Sequence, residues 1–120
     1  MANIQKTIQE KLTKNLLDVI VLQMLENKSL CGYEIMGTIR KQYGVYLGAS
    51  TTYPMLKTLE KKKLLRSEWN LDNHRSKKIY HLTSEGEQML HFTANSLNQI
   101  CKTIDNVNKK DRIVEIGIMP

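Results

Sequence analysis

Apolar residues recur at helical spacing over the first part of the chain. They form a stripe so wide that it predicts a largely buried helix. Its apolar positions are Leu12, Leu16, Leu17, Val19, Ile20, Val21, Leu22 and Leu25. Residues 3–10 either extend this helix or form a separate arm, and Ile4 and Ile8 would share one face of it.

Two further helices are predicted after the polar residues 27–29 interrupt this pattern. Ser29 is a candidate N-cap for a helix over 30–43, and Gly44 would end that helix. Ser50 is a candidate N-cap for the next helix, 51–63. Pro54 would fall in its first turn, where backbone amides have no intrahelical partner. The inward positions would be Ile35, Met36 and Ile39 in one helix and Met55, Leu56 and Leu59 in the other.

Two strands then follow, at 65–71 and 78–82, with the turn-forming residues Asp72, Asn73 and His74 between them. We call this hairpin the wing. A helix with a hydroxyl-rich start followed by a charged hairpin is the layout of a winged helix-turn-helix. The sequence therefore predicts a mainly α (α+β) fold, with a long C-terminal helix after the wing.

The last helix carries a heptad pattern. Thr83 or Ser84 would cap it, and Glu87 has capping-box spacing from Ser84. The two seam positions hold Leu90, Leu97 and Ile104, and Thr93, Ile100 and Val107. So narrow an apolar stripe favours pairing with a second helix, hence a homodimer, over packing on its own domain alone. The predicted divisions are a winged-helix domain 1–83, which includes the N-terminal helix, a dimerisation helix 84–110 and a tail 111–120. The tail would add a strand, cover the dimer or be disordered.

The charge distribution narrows the choice of partner. The chain has 120 residues, a formal charge of +6 and a pI of about 9.4. Eight cations and three anions lie between Lys57 and His81, which places +5 of this charge in one segment. A polyanionic partner is expected, although a basic protein without a special partner is the plainer interpretation.

Other features of the composition exclude several classes of protein. The charged start lacks the apolar segment of a signal peptide, and no apolar run approaches the ~20 residues of a membrane span, so we expect a cytoplasmic protein. The isolated Cys31 and Cys101 are expected to be buried thiols, with a redox sensor or an intersubunit disulfide as the alternatives. The histidines lack metal-ligand spacing and no glycine-rich phosphate loop is present. An enzyme, a metal site and a cofactor are therefore not expected.

Several short motifs together resemble the PadR family of winged-helix transcriptional regulators. They are Leu22 and Leu25 at the end of the first helix; Gly32-Tyr33-Glu34-Ile35; Thr52-Tyr53-Pro54-Met55-Leu56 with Leu59-Glu60; Leu64-Leu65; and Tyr80-His81-Leu82-Thr83 with Glu85-Gly86. The resemblance implies a homodimer that usually represses a neighbouring gene and is often released by an aromatic or drug-like ligand. It also implies a single last helix that swaps across the dimer.

Two departures from the family pattern affect the wing. Residues 71–76 lack the Gly-rich, Arg-Pro-containing turn that is usual in the family. Lys63 stands where the family often has a glycine after the third helix, so this corner requires a different backbone solution.

DNA contacts are expected from the third helix and from the wing. Short hydroxyls and free amides at a helix start suit phosphates, and lysine suits a phosphate or a guanine edge. The resemblance places Tyr53 on the DNA-facing helix; the alternatives are an aromatic ring packed under the wing and a wing that is only solvated. The candidates are Ser50, Thr51, Thr52, Tyr53 and Lys57 on the helix, and His74, Arg75, Lys77 and Lys78 on the wing.

A dimer would bind double-stranded DNA at a palindromic operator whose half-sites are one or two helical turns apart. The effector pocket that the resemblance implies would involve Leu16, Ile20, Met89 and Phe92, unless these four residues simply form core. The alternative function is a winged-helix interaction module that presents its basic face to an acidic protein.

Overall fold

The computed structural model describes residues 2–72 and 75–115, without the side chains of Asp72 and of 107–115. The chain divides into two compact units, the first ending at Leu90 and the second beginning at His91. The predicted domain boundary lay at residue 83. The observed division comes later because the first turns of the last helix belong to the first unit.

The described elements confirm the predicted α+β winged-helix fold. In chain order they are α1 (Ala2–Asn15), α2 (Leu17–Met24), β1 (Leu30–Cys31), α3 (Gly32–Tyr43), α4 (Ala49–Lys61), β2 (Leu65–Asp72), β3 (Arg75–Leu82) and α5 (Ser84–Glu115). The strands form a sheet in the order β1-β3-β2, and both pairings are antiparallel. Within the described part of the chain, no helix is long and apolar enough to cross a membrane.

The apolar first segment is divided into two helices at Leu16. The Leu16 N–H donates to the carbonyls of Leu12 and Thr13, at 3.0 and 3.1 Å, and α2 begins at the next residue. Helix α2 is largely buried, as predicted, whereas α1 has no buried residue. Residues 3–10 are therefore helical, but their apolar side chains remain exposed.

The prediction that Ser29 caps the second helix is wrong. Leu30 and Cys31 instead form β1, paired with β3, and α3 begins only at Gly32. The Glu34 carboxylate accepts the backbone N–H of Cys31 at 3.0 Å and so caps this helix start. The two residues before α3 are extended because the free edge of β3 offers them hydrogen-bond partners, which Ser29 alone cannot reveal.

Ser29 takes part in a different contact, with His81 of β3. The Glu68 carboxylate lies 2.7 Å from His81 Nε2 and can only accept, so this nitrogen carries a hydrogen. The Ser29 Oγ lies 2.6 Å from Nδ1, to which it donates when the ring is neutral. This chain of hydrogen bonds ties the segment before β1 to the sheet.

The core of the first unit is built by α2, α3, α4 and the sheet. Its fully buried side chains include Val21, Ile35, Ile39, Leu56, Leu59 and Leu65. Leu90, which we predicted at the dimerisation seam, is only 6% exposed and belongs to this core. Its assignment to the dimer interface is therefore wrong, because the first heptad of α5 is used within the chain.

The corner between α4 and β2 is formed without the glycine that the family often has at this position. Lys63 itself adopts the left-handed conformation, with φ of 63°. The Lys63 N–H donates to the Glu60 carbonyl at 2.9 Å and the Leu64 N–H to the Leu59 carbonyl at 3.0 Å. These two bonds are those of a Schellman motif, which normally places glycine at this position.

Thr83 joins this corner to α5. Its hydroxyl accepts the Gly86 N–H at 2.9 Å and lies 2.7 Å from the Lys63 carbonyl and 2.9 Å from that of Leu64. Thr83 is therefore the N-cap, one of the two residues predicted for this role. The predicted capping box of Ser84 with Glu87 is wrong, since the third helical residue after Thr83 is Gly86.

The second unit consists of α5 from His91 onwards. Its seam residues Thr93 and Leu97 are half-buried, whereas Ile100 and Ile104 are 55% and 57% exposed. The Val107 side chain lies outside the described residues. The helix continues to Glu115, so residues 111–115 of the predicted tail are helical and not a strand, and residues 116–120 lie outside the described residues.

The two cysteines differ in environment. Cys31 is buried, as expected, but Cys101 is exposed on α5. The prediction of a buried thiol is wrong for Cys101, because no other described element of the second unit covers this part of α5.

Candidate nucleic-acid interface

Helix α4 begins earlier than its sequence suggested. Gly48 is the N-cap, and its carbonyl accepts the N–H groups of Thr51 and Thr52 at 3.1 and 3.0 Å. Ser50 is therefore the second helical residue, and its prediction as N-cap is wrong. Ser50 and Thr51 are both exposed, so their hydroxyls remain available to a ligand at the positive end of this helix.

Thr52 is the one member of the predicted hydroxyl group that the fold removes from the surface. It is fully buried, in line with Leu56 and Leu59 on the inner face of α4. Among the described residues, its Oγ1 has no hydrogen-bond partner. Thr52 cannot contact DNA in this conformation, and its assignment to the interface is corrected accordingly.

Pro54 lies deeper in the helix than predicted. It is the sixth residue of α4, beyond the first turn, because the helix begins at Ala49 rather than Thr51. A proline here removes the N–H that would donate to the Ser50 carbonyl. The helix start thus carries an additional carbonyl without its usual partner, on the turn that holds the exposed hydroxyls.

One cleft brings four of the predicted DNA contacts together. It has a volume of about 790 Å³ and lies between the start of α3, the start of α4 and the wing. The predicted contacts that line it are Tyr53, Arg75, Lys77 and Lys78, and the other lining residues are Cys31, Gly32, Tyr33, Glu34, Trp69 and Ser76. We call it the wing cleft.

The remaining predicted contacts do not line the wing cleft. Ser50, Thr51 and Lys57 are exposed elsewhere on α4. His74 lies outside the described residues. The cleft therefore joins the wing to one side chain of α4, while the other α4 candidates form a neighbouring surface.

Tyr53 is positioned by the absence of a side chain at Gly32. A Cβ atom on Gly32 would lie 2.6 Å from the Tyr53 Cε1 atom, well inside van der Waals contact. The ring therefore rests against the backbone at the start of α3, and Tyr53 nevertheless keeps 45% of its surface exposed. The ring is thus partly packed and partly exposed, and its contact with DNA stays a prediction.

The cations of the wing are not equivalent. Arg75 and Lys77 are exposed, whereas Lys78 is half-buried. The Lys78 Nζ atom lies 3.6 Å from Glu60 Oε1, 5.9 Å from the Trp69 ring centre and 5.8 Å from that of Tyr80. Burial, and secondarily the Glu60 charge, raises the pKa of the Tyr80 hydroxyl, which stays neutral at physiological pH.

Glu34 is the anion of the wing cleft. The backbone N–H of Cys31 holds the pKa of its carboxyl below the usual value, and Lys77 adds a smaller effect in the same direction. Glu34 is therefore ionised at neutral pH. Part of the positive charge contributed by Arg75, Lys77 and Lys78 is offset at the α3 side of the cleft.

Sequence reasoning missed two aromatic residues of the cleft as site residues. Tyr33 is 79% exposed and Trp69 is 68% exposed. Strand alternation places Trp69 on the same face as the buried Leu65, and only the extension of β2 past the core leaves its ring uncovered. For Tyr33 the sequence offered a family motif but no physical sign of exposure.

The sequence and the fold both match one family of regulators. Residues 21–92, more than half of the chain, match the model of the transcriptional regulator PadR-like family. The chain belongs to the PadR-like family. No curated protein matches the sequence significantly.

Solved structures agree with this assignment. A PadR family transcriptional regulator from Eggerthella lenta DSM 2243 is 25% identical, with a TM-score of 0.79 over 91% of this chain and 96% of its own. A PadR family regulator from Clostridium difficile R20291 is 29% identical, with a TM-score of 0.70 over 77% and 97%.

One similar structure contains nucleic acid. Bacillus subtilis PadR in complex with operator DNA is 28% identical, with a TM-score of 0.61 over 66% of this chain and 45% of its own. The likeness covers the greater part of this PadR-like chain but less than half of the Bacillus protein.

Proposed function

We propose that this PadR-like protein is a homodimeric, sequence-specific DNA-binding repressor. The observation that carries the proposal is the wing cleft, which places Tyr53 of α4 beside the exposed cations Arg75 and Lys77 of the wing. The Bacillus subtilis relative that was solved with operator DNA supports duplex DNA as the ligand.

In this proposal α4 enters the major groove and the wing follows the adjacent backbone. The exposed Ser50 and Thr51 at the start of α4 contact phosphates or base edges. Lys57, one turn after Tyr53, contacts a phosphate or a guanine. Arg75 and Lys77 neutralise phosphates beside the minor groove. In this arrangement α4 recognises the base sequence, and the wing adds affinity through the DNA backbone.

The dimer is proposed to form through α5. Ile100 and Ile104 are four residues apart, lie on one helical face and are more than half exposed. Exposed apolar residues also line α1, where Ile4, Ile8 and Leu12 share a face. Leaving two apolar stripes in water is unfavourable, and a second copy of the chain would cover both.

Dimerisation is tested by substituting Asp for both Ile100 and Ile104 and measuring mass by analytical ultracentrifugation. A monomer is expected, with its far-UV circular dichroism retained. Replacing exposed Lys102 and Thr103 by Ala provides a control on the same turn of the helix. A double-Asp protein that remains dimeric would exclude this seam.

Release by an aromatic or drug-like effector remains a prediction from family membership. Of the four residues suggested for its pocket, Ile20 is buried in the core and Leu16 packs against that core. Met89 and Phe92 are 44% and 70% exposed. Only these last two remain reasonable contacts, and the other two are structural.

DNA binding is tested by fluorescence anisotropy with the region upstream of the protein's own gene, over a range of salt concentrations. Replacing Lys77 by Ala should flatten the plot of log affinity against log salt by about 0.9, the effect of one lost phosphate contact. Replacing exposed Lys11 of α1 by Ala should leave this slope unchanged. If the complex persists in the presence of excess unrelated DNA, specific binding is supported. If no DNA is bound even at low salt, the alternative function, a module that binds an acidic protein, is favoured.

A further inference from the structure

Lys77 and Lys78 are adjacent on β3, and adjacent strand residues point to opposite faces of the sheet. Lys78 shares its face with Tyr80, and across the β2 pairing with Ser67 and Trp69. This is the face that Glu60 of α4 approaches. Lys77 projects from the opposite face, so the two lysines have different neighbours within the sheet although both line the wing cleft.

The contacts around Lys78 occupy it within the protein. Its ammonium group lies 3.6 Å from Glu60 Oε1, and both side chains are only about a third exposed, at 37% and 31%. The second carboxylate oxygen of Glu60, Oε2, accepts a hydrogen bond from the Ser67 hydroxyl. The Trp69 and Tyr80 rings lie 5.9 and 5.8 Å from the ammonium group, within range of a cation–π interaction.

We infer that Lys78 is a positioning residue of the DNA interface and not one of its phosphate contacts. Together with Glu60 and Ser67 it forms a connection, here called the Glu60 bridge, that fixes the wing against the helix that enters the major groove. The inference rests on the proposed function and revises the equal roles first given to Lys77 and Lys78.

The bridge determines where the wing cations stand relative to α4. Glu60 is near the end of α4, whereas the exposed hydroxyls are at its start, so the bridge links the far end of this helix to both wing strands. Loss of the bridge lets the hairpin change its angle to α4. Operator DNA, which must fit α4 and wing at once, is then penalised, while unrelated DNA bound through its backbone is not.

The test compares Lys77→Ala with Lys78→Met, which keeps most of the apolar stem of Lys78. Lys77→Ala should flatten the salt dependence by about 0.9 for operator and unrelated DNA alike. Lys78→Met should leave both slopes unchanged and weaken operator binding alone. Because the ion pair is about a third exposed, its loss should weaken operator affinity by about two- to five-fold.

Charge reversal provides the matched control. Glu60→Lys and Lys78→Glu should each weaken operator binding, and the double variant should recover most of the loss because the pair is restored in the opposite orientation. An equal flattening of the slope by Lys78→Met and Lys77→Ala would overturn the inference. Unchanged operator affinity in Lys78→Met, or no recovery in the double variant, would overturn it as well.

A measurement without DNA separates this inference from the proposed function. Trp69 is the only tryptophan of the sequence and lies beside Lys78. Its emission should change in Lys78→Met and Glu60→Gln, and stay as in the unmodified protein in Lys77→Ala. If the protein binds no DNA but these spectra behave as expected, the proposed function fails and the bridge stands. Identical emission spectra in all variants would show that the Glu60 bridge does not form.

Discussion

Replacing Lys63 by Gly should stabilise the protein. Lys63 has φ of 63°, a conformation in which the Cβ of an L-residue crowds the following carbonyl at a cost of about 1–2 kcal/mol. Glycine removes this strain and keeps the two Schellman hydrogen bonds, because both are made by backbone atoms. Glycine is more flexible in the unfolded chain, however, and this entropy reduces the gain in stability by about 0.5–1 kcal/mol.

The net expectation is a gain of about 0.5–1 kcal/mol in the free energy of unfolding, or a rise in melting temperature of about 2–4 °C for a chain of this size. Urea denaturation followed by circular dichroism and by Trp69 emission measures it. Protein concentration must be equal for all variants, since association adds to apparent stability.

Two substitutions separate backbone strain from charge. Lys63→Ala removes the same charge but keeps the Cβ, so its stability should stay close to that of the unmodified protein. Lys62→Gly places glycine at a neighbouring residue with ordinary right-handed angles, φ −76° and ψ 0°, and should be destabilising. If Lys63→Gly is no more stable than Lys63→Ala, strain at this corner does not limit stability.

Three further substitutions test individual contacts. Glu34→Gln removes a carboxylate whose pKa is lowered on folding, so the unmodified protein should be more stable by about 0.5 kcal/mol at pH 7. This difference in stability should disappear as the pH falls from about 4.5, the usual pKa of a glutamate, through the lowered pKa of Glu34 in the folded protein. If urea titrations give the same difference at every pH, the effect does not come from the charge. Thr52→Val removes a buried hydroxyl that has no partner within the described residues and should stabilise by about 1 kcal/mol, whereas destabilisation would indicate a bound water or another partner. Gly86→Ala should cost more than about 2 kcal/mol, since its Cβ would lie 2.1 Å from the Leu64 carbonyl oxygen. Gly37→Ala should instead stabilise its helix by up to about 1 kcal/mol, because no described atom beyond its chain neighbours and its own helix backbone lies within 4 Å of the added Cβ; equal effects of the two substitutions would contradict the packing found at Gly86.

Local sequence patterns determined much of the fold. The apolar periodicity of α3 and α4, the two wing strands and the long last helix follow from spacings within single elements, and Gly44 ends α3 in the left-handed conformation as predicted. The short motifs, including those from Gly32 to Gly86, were enough to identify the family, because many of their residues are ones that pack this domain together. Arg75 and Lys77 could be proposed as DNA contacts from residue type and order, and Tyr53 with the help of the family resemblance.

The tertiary structure decided which of these residues are available. Ser29 became a partner of His81 because β3 offered a free edge to residues 30–31. Thr52 and Leu90 were buried because distant segments pack over them. The different environments of Lys77 and Lys78 depend on which sheet face meets Glu60. Burial and ion pairing are properties of segments brought together by folding, whereas the spacing of residues along one helix or strand is already present in the sequence.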